Sequence, residues 1–268
     1  MIKLIAIDLD GTLLNSQGQI SRVNRQALEM AHEKGIKIVL CTGRPYLFMK
    51  DFLLDLGLQS EDDYIITFNG GQVQKAKDGQ VIEAFTLSLQ DLKDWRQALE
   101  DVDLPIHAID GQFVYEWVDD HVTTPSLYLA NRPSIESKVV ALNDFEQDHL
   151  FNKFVVSCET SILDQGLSQL DPALLGKFST FKSHDNLFEI VAKGVTKGAI
   201  LERLASHLGI SMDHVMAIGD QENDLSMIQA AGIGVAMGNA KDHIKEIADY
   251  ITATNDQDGV AQAINHFI

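Results

Sequence analysis

The chain is poor in cysteine, in positive charge and in long apolar runs, and each shortage removes a class of function. Two cysteines, Cys41 and Cys158, occur in 268 residues. They lie far apart and form no metal-type spacing, which excludes a disulfide framework; both are expected as free thiols in a reducing cytoplasm. Lys and Arg number 21 against 39 Asp and Glu, a net charge of −18. That balance argues against a protein that grips nucleic acid or an anionic membrane surface. No apolar run approaches the roughly 20 residues of a membrane span. The N-terminus enters a strand at once, without the regions of a signal peptide. Repeats, low-complexity segments and long linkers are also missing. The acidity sets one constraint: an anionic substrate needs a local cation cluster or a bound metal to reverse the field.

What is there suits a globular protein. An apolar fraction of 45% over this length can bury a substantial core, as one large domain or two ordinary ones. The apolar run Leu4 to Ile7 reads as a fully buried strand ending on Asp8-Leu9-Asp10-Gly11-Thr12. Residues two apart on a strand point the same way, so both acids can face one site. Alone, this is equally a polar strand end with a solvated Asp-Gly turn.

Ser21 predicts the cap of a helix running to about Lys34, with Val23, Ala27, Leu28 and Ala31 as its apolar stripe. Ile36 to Leu40 is a second strand. It leads into Cys41-Thr42-Gly43-Arg44-Pro45, expected to open a helix at Pro45 and to suit an anion. Tyr64 to Phe68 gives a third strand, ending on Asn69-Gly70-Gly71, and the rhythm so far implies a parallel sheet. Gln72 to Phe85 reads as a hairpin about Lys77-Asp78-Gly79.

The pattern then changes. Expected next are a helix capped by Ser88 with Asp91, short strands around Asp110-Gly111, and a helix carrying Leu127 and Leu129. A polar stretch, a strand over Asn152 to Cys158, a helix over Ser161 to Leu170 and strands at 178–182 and 187–191 follow. Mixed hairpins and helices describe an α+β insert. From Thr196, which caps a helix with Lys197 in its first turn, the α/β rhythm returns. Val215 to Ile218 is a strand ending on Gly219-Asp220-Gln221-Glu222-Asn223-Asp224. A further strand follows at 233–237, with helices near 240–248 and 257–266.

Three strand ends therefore carry polar groups: Asp8 with Asp10; Thr42, Gly43 and Arg44; and Asp220 with Asn223 and Asp224. In a parallel sheet with right-handed crossovers these ends share one edge and can converge. With these motifs in this order, the chain resembles the haloacid dehalogenase (HAD) superfamily. Within it, the chain is similar to the Cof-type hydrolases with a C2B cap, of the YidA-like sugar-phosphatase kind. Asp8-x-Asp10-Gly11-Thr12 matches the first family motif, Thr42-Gly43 the second, Lys197 the third and Gly219-Asp220-x-x-Asn223-Asp224 the fourth.

The resemblance implies an α/β fold: a Rossmann-like core with a parallel sheet, over residues 1–84 and 191–268, and an inserted α+β cap over 85–190. It implies a Mg²⁺-dependent phosphatase for small phosphorylated metabolites, sugar phosphates above all. Asp8 would be nucleophile and metal ligand, and Asp10 general acid and base, giving the metal its backbone carbonyl. Asp220 would complete the metal set. The backbone near Leu9, with Thr42, Gly43, Lys197 and Asn223, would hold the phosphate. Asp224 would support the metal's surroundings. Arg44 stays open between a phosphate contact and a surface arginine or salt bridge, and Asn69 between a hinge and a site-facing side chain. His107, His121 and His184 could line a substrate pocket but are ordinary as structural or surface groups; Cys41 reads as a small buried hydrophobe. A phosphomutase or phosphotransferase of the same fold, or a sugar-phosphate sensor with a vestigial site, are the alternatives.

Overall fold

The computed structural model describes residues 1–118, 121–130 and 136–268. In chain order the first half of the core comprises β1 (Leu4–Ile7), α1 (Arg22–Glu33), β2 (Lys37–Cys41), α2 (Lys50–Asp55), β3 (Tyr64–Thr67), β4 (Gln72–Lys75) and β5 (Val81–Ala84). The insert follows with β6 (Leu87–Ser88), α3 (Leu89–Glu100), β7 (His107–Ile109), β8 (Val114–Trp117), β9 (Ser137–Val140) and β10 (Leu150–Phe151). It continues with β11 (Lys153–Ser157), α4 (Thr160–Leu167), α5 (Pro172–Leu175), β12 (Phe178–His184) and β13 (Leu187–Ala192). The core resumes with α6 (Lys197–His207), β14 (Val215–Gly219), α7 (Leu225–Ala230), β15 (Ile233–Ala236), α8 (Asp242–Ile247), β16 (Tyr250–Ile251) and α9 (Gly259–Phe267).

Two compact units result, residues 1–83 with 196–268 and residues 84–195. Residues 191–195 belong with the insert, where Gly194 N–H donates to Ser179 Oγ and Lys193 to the Phe178 carbonyl.

The first unit is built on an eight-stranded sheet of order β16-β15-β14-β1-β2-β3-β4-β5. From β16 to β3 the pairs are parallel, and β4 runs antiparallel to β3. All four residues of β1 are fully buried, which is why its sequence is a continuous apolar run. In register, Ile7 lies between Ile218 and Leu40, so the ends of β14, β1 and β2 stop at one level.

Ser21 caps α1 by accepting from Asn24 N–H, as its position implies. Val23 nevertheless faces solvent, and Asn24 takes the buried place. Its Oδ1 accepts from Ala261 N–H at 2.9 Å, satisfying a donor in the first turn of α9 that has no partner within its own helix.

The second unit centres on a six-stranded sheet of order β12-β13-β11-β7-β8-β9, with a separate β6-β10 pair. Its core gathers Trp95, Leu92 and Leu99 of α3 with Phe154, Val156, Phe188 and Ile190, the alternate residues of β11 and β13. The capping box of Ser88 and Asp91 starts α3.

The expected helix with Leu127 and Leu129 does not form. Ser126 Oγ accepts Tyr128 N–H and the Ser157 carbonyl accepts Leu127 N–H, so the donors a helix would use are taken elsewhere. The polar stretch after it partly lies outside the described residues; its end forms β9, an exposed edge strand parallel to β8. No described helix is long and apolar enough to cross a membrane.

Candidate active site

The aligned strand ends of the first unit bring three of the sequence motifs together. At the end of β1, Asp8 N–H still bonds the Ile218 carbonyl, and the chain then turns through Gly11 at φ +82°. A Cβ at Gly11 would stand 2.5 Å from Asp220 Oδ2, so glycine is needed both for the turn and for the approach of that carboxylate. Thr12 Oγ1 donates to Asp220 Oδ1 at 2.9 Å.

Lys197, at the start of α6 behind its Thr196 cap, has no solvent exposure. Its Nζ donates to Asp8 Oδ1 at 2.5 Å and to Asp224 Oδ1 at 2.6 Å. Asp224 Oδ2 accepts the backbone N–H groups of Asp220 and Gln221, at 2.9 and 3.0 Å. Both oxygens of Asp224 are thereby committed, and its role in the loop is to set Lys197 and the Asp220 backbone. Lys197 takes only one oxygen of Asp8, and among the described residues no hydrogen bond reaches Oδ2.

Carboxylate oxygens of Asp8, Asp220 and Asp224 lie within 4.8 Å of one another, all buried. Three acids against one lysine leave negative charge in excess. Burial, with Asp224 and Asp220 adding repulsion, pushes Asp8 well above the usual carboxylate range despite Lys197. Burial and Asp224 push Asp220 up to about 7, although Thr12 and Lys197 oppose this. Burial alone would depress Lys197, but Asp224 and Asp8 outweigh it and hold the ammonium charged. An all-oxygen donor set with surplus negative charge fits a hard divalent cation.

Asp10 sits differently. Its two oxygens accept a forked pair from Arg44, Nε to Oδ2 at 3.0 Å and Nη2 to Oδ1 at 2.5 Å. Arg44 is thus held in a salt bridge, with its partner in the first motif. Arg44 N–H also donates to Thr42 Oγ1 at 3.1 Å, which leaves the Thr42 hydroxyl proton to point elsewhere.

The helix expected to open at Pro45 does not. Pro45 is extended at ψ 152° and precedes one 3₁₀ turn, and α2 begins only at Lys50. Thr42 and Gly43 therefore belong to an irregular loop, not to a helix N-terminus. The Leu9 side chain is wholly buried in the apolar core, so only its backbone can serve a ligand. Asn69 is buried, and its Oδ1 accepts from Asn223 Nδ2 at 3.0 Å.

Two further residues, Thr12 and Asn239, contribute to the site. Thr12 was visible as part of the first motif, but its grip on Asp220 depends on a residue more than two hundred positions away. Asn239 donates to the Gly11 carbonyl at 2.8 Å, and Asn255 N–H in turn donates to its Oδ1 at 3.0 Å. Its signal was its position just after β15, on the same sheet edge. Of the three histidines, His107 is internally satisfied in the second unit, between the Tyr115 carbonyl and Ser126 Oγ. Cys41 and Cys158 are free and buried, and burial pushes the Cys41 thiol up to about 12.

A family model described as haloacid dehalogenase-like hydrolase matches residues 5–264. A Bacillus subtilis protein named 5-amino-6-(5-phospho-D-ribitylamino)uracil phosphatase is 35% identical, over 100% of this chain and 96% of its own length. A haloacid dehalogenase-like hydrolase of known structure from Bacteroides thetaiotaomicron superposes with a TM-score of 0.84 at 33% identity, covering both chains fully. A solved sugar phosphatase of HAD subclass IIB gives 0.81 at 26% identity, over 99% of this chain and 98% of its own. With the motifs on one sheet edge and these matches along its whole length, the chain belongs to the haloacid dehalogenase-like hydrolases.

Proposed function

We propose that the protein is a Mg²⁺-dependent phosphatase that hydrolyses phosphate monoesters of small metabolites, sugar phosphates foremost, through an aspartyl-phosphate on Asp8. The observation that carries this reading is the buried Asp8 carboxylate at the end of the central strand, fixed through Oδ1 by Lys197, with Oδ2 left as an attacking atom.

In the first step Asp8 Oδ2 bonds to phosphorus in line as the bond to the leaving alcohol oxygen breaks. Asp10 gives that oxygen its proton. In the second step Asp10 takes a proton from water, which attacks phosphorus, releases phosphate and restores Asp8. Each Asp10 oxygen accepts one N–H from Arg44 in the resting protein and keeps a second lone pair through which a proton can be given or taken. Lys197 keeps the nucleophile oriented and offsets charge. Thr42 hydroxyl, the backbone N–H groups of Leu9 and Gly43, and the Asn223 amide are the donors for the non-bridging oxygens. The carboxylates of Asp8 and Asp220 and the Asp10 carbonyl would hold the cation. Its contribution when bound is to neutralise charge on the nucleophile and the phosphoryl group.

The substrate class draws on the relatives. One is named for a phosphate on a ribityl chain, the other as a sugar phosphatase, and both support a phosphorylated polyhydroxy carbon chain. Residues 84–195 are read as the cap that selects the alcohol part. The test is a panel of phosphorylated metabolites with Mg²⁺, reading released phosphate. Release from sugar phosphates is expected. Isomerised sugar phosphate without free phosphate would replace the hydrolase by a mutase, and binding without turnover would leave only a sensor.

A further inference from the structure

The turn after β3 holds two consecutive residues that are not glycine in the left-handed region, Phe68 at φ 52° and Asn69 at φ 57°, followed by Gly70 at φ 102°. A bulky aromatic there is a true outlier, and such backbone persists only where its surroundings enforce it. The surroundings are three separate segments of the candidate site. Asn69 N–H donates to the Thr42 carbonyl at 2.9 Å, tying the turn to the loop after β2. A Cβ at Gly43 would stand 2.8 Å from Asn69 Nδ2, so that loop lies directly on the amide. A Cβ at Gly70 would stand 2.7 Å from the Thr196 carbonyl, so the turn also abuts the cap of the Lys197 helix. Finally, Asn69 Oδ1 accepts from Asn223 Nδ2 at 3.0 Å.

The amide is not there for a closed internal network. Asn69 has no solvent exposure, yet its Nδ2, like Asn223 Oδ1, has no hydrogen-bond partner among the described residues. Buried polar atoms are nearly always paired, and a residue serving only the fold would gain by being apolar. What the site uses is the acceptor Oδ1. An amide group is planar, so engaging one N–H of Asn223 fixes the direction of the other.

We infer that Asn69 is a positioning residue for phosphate: it aims the second Asn223 N–H at a phosphoryl oxygen while its turn sets the Thr42-Gly43 loop beside the Lys197 helix. This rests on the phosphatase reading. Phosphate affinity should therefore depend on the Asn69 side chain only through Asn223, since the turn's role belongs to its backbone.

The test uses the full chain with Mg²⁺ and inorganic phosphate as a competitive inhibitor of ester hydrolysis. Asn69→Gly is the variant of choice, because glycine adopts the left-handed backbone without strain and the fold is kept. Its inhibition constant for phosphate and its KM should both rise about tenfold, the loss of one hydrogen bond to a charged group. Its thermal midpoint should fall by no more than about 5 °C. Asn223→Ala should show a similar loss, and Asn69→Gly with Asn223→Ala should be no weaker than Asn223→Ala alone. Wild-type phosphate affinity in Asn69→Gly, or losses that multiply in the double variant, would overturn the inference and leave the phosphatase reading standing. A wild-type protein that neither binds phosphate nor releases it would overturn both.

Discussion

At the scale of residues, the site is an arrangement of charges that are mostly already spent. Arg44 grips both oxygens of Asp10 through a planar fork that lysine cannot reproduce. If Asp10 protonates the leaving oxygen, misplacing it should matter most where the leaving alcohol is a poor leaving group. Arg44→Lys should therefore slow phosphoenzyme formation from sugar phosphates by roughly 10²-fold but barely affect its formation from p-nitrophenyl phosphate, whose phenolate leaves without help; equal losses in that first step would remove Arg44 from the control of Asp10.

The Asp220 carboxyl gives a second prediction, for the metal-free protein. Its folded pKa, about 7, lies above the ordinary value of 3.8. The folded state thus holds this proton more tightly than the unfolded chain. Stability from this group is complete below about pH 4 and is lost as pH rises to about 7. The thermal midpoint without metal should fall by roughly 5 °C or more between pH 5 and pH 8, and Asp220→Asn should flatten that decline. A wild-type midpoint that rises over this range would contradict the sign.

At the scale of elements, strands were more legible than turns. The run Leu4 to Ile7 declared a central strand because a strand buried on both faces needs no alternation. Lys197 was legible as the first turn of α6 because Thr196 is an ordinary cap. The 45–48 segment was not, since proline suits both a helix start and the extended residue seen here. A helix carrying Leu127 and Leu129 was the expectation, and bonds to Ser126 Oγ and to the Ser157 carbonyl decided otherwise. The Ser157 carbonyl belongs to tertiary structure, which the local sequence cannot carry.

The same holds for α1, where Asn24 displaced Val23 from the buried stripe because α9 needed an acceptor for Ala261 N–H. Asn24→Ala should cost about 1–2 kcal/mol in urea unfolding by leaving that donor unpaired, while Val23→Lys should be neutral within about 0.5 kcal/mol. Equal costs for the two would argue that the Asn24 bond adds nothing.

At the scale of the whole molecule, a net charge of −18 must accommodate a phosphate ester. The sequence posed that problem and supplied Lys197 and Arg44 as local cations, but their fold contacts reveal how little of their charge remains. Lys197 is shared by Asp8 and Asp224, and Arg44 is paired with Asp10. Lys197 and Arg44 alone do not make the site positive, and on the proposed reading the reversal of field falls to a bound cation. Inorganic phosphate should bind the EDTA-treated protein at least about tenfold more weakly than the protein with Mg²⁺; equal affinity would remove the cation from substrate binding.

The central claim is that Asp8 carries the phosphoryl group during turnover. Its most direct test is acid quenching during hydrolysis of a sugar phosphate, followed by digestion and mass spectrometry of the peptide around Asp8. One added phosphoryl group on Asp8 is expected, with neither adduct nor turnover in Asp8→Asn; phosphate release that continues in Asp8→Asn would contradict the claim.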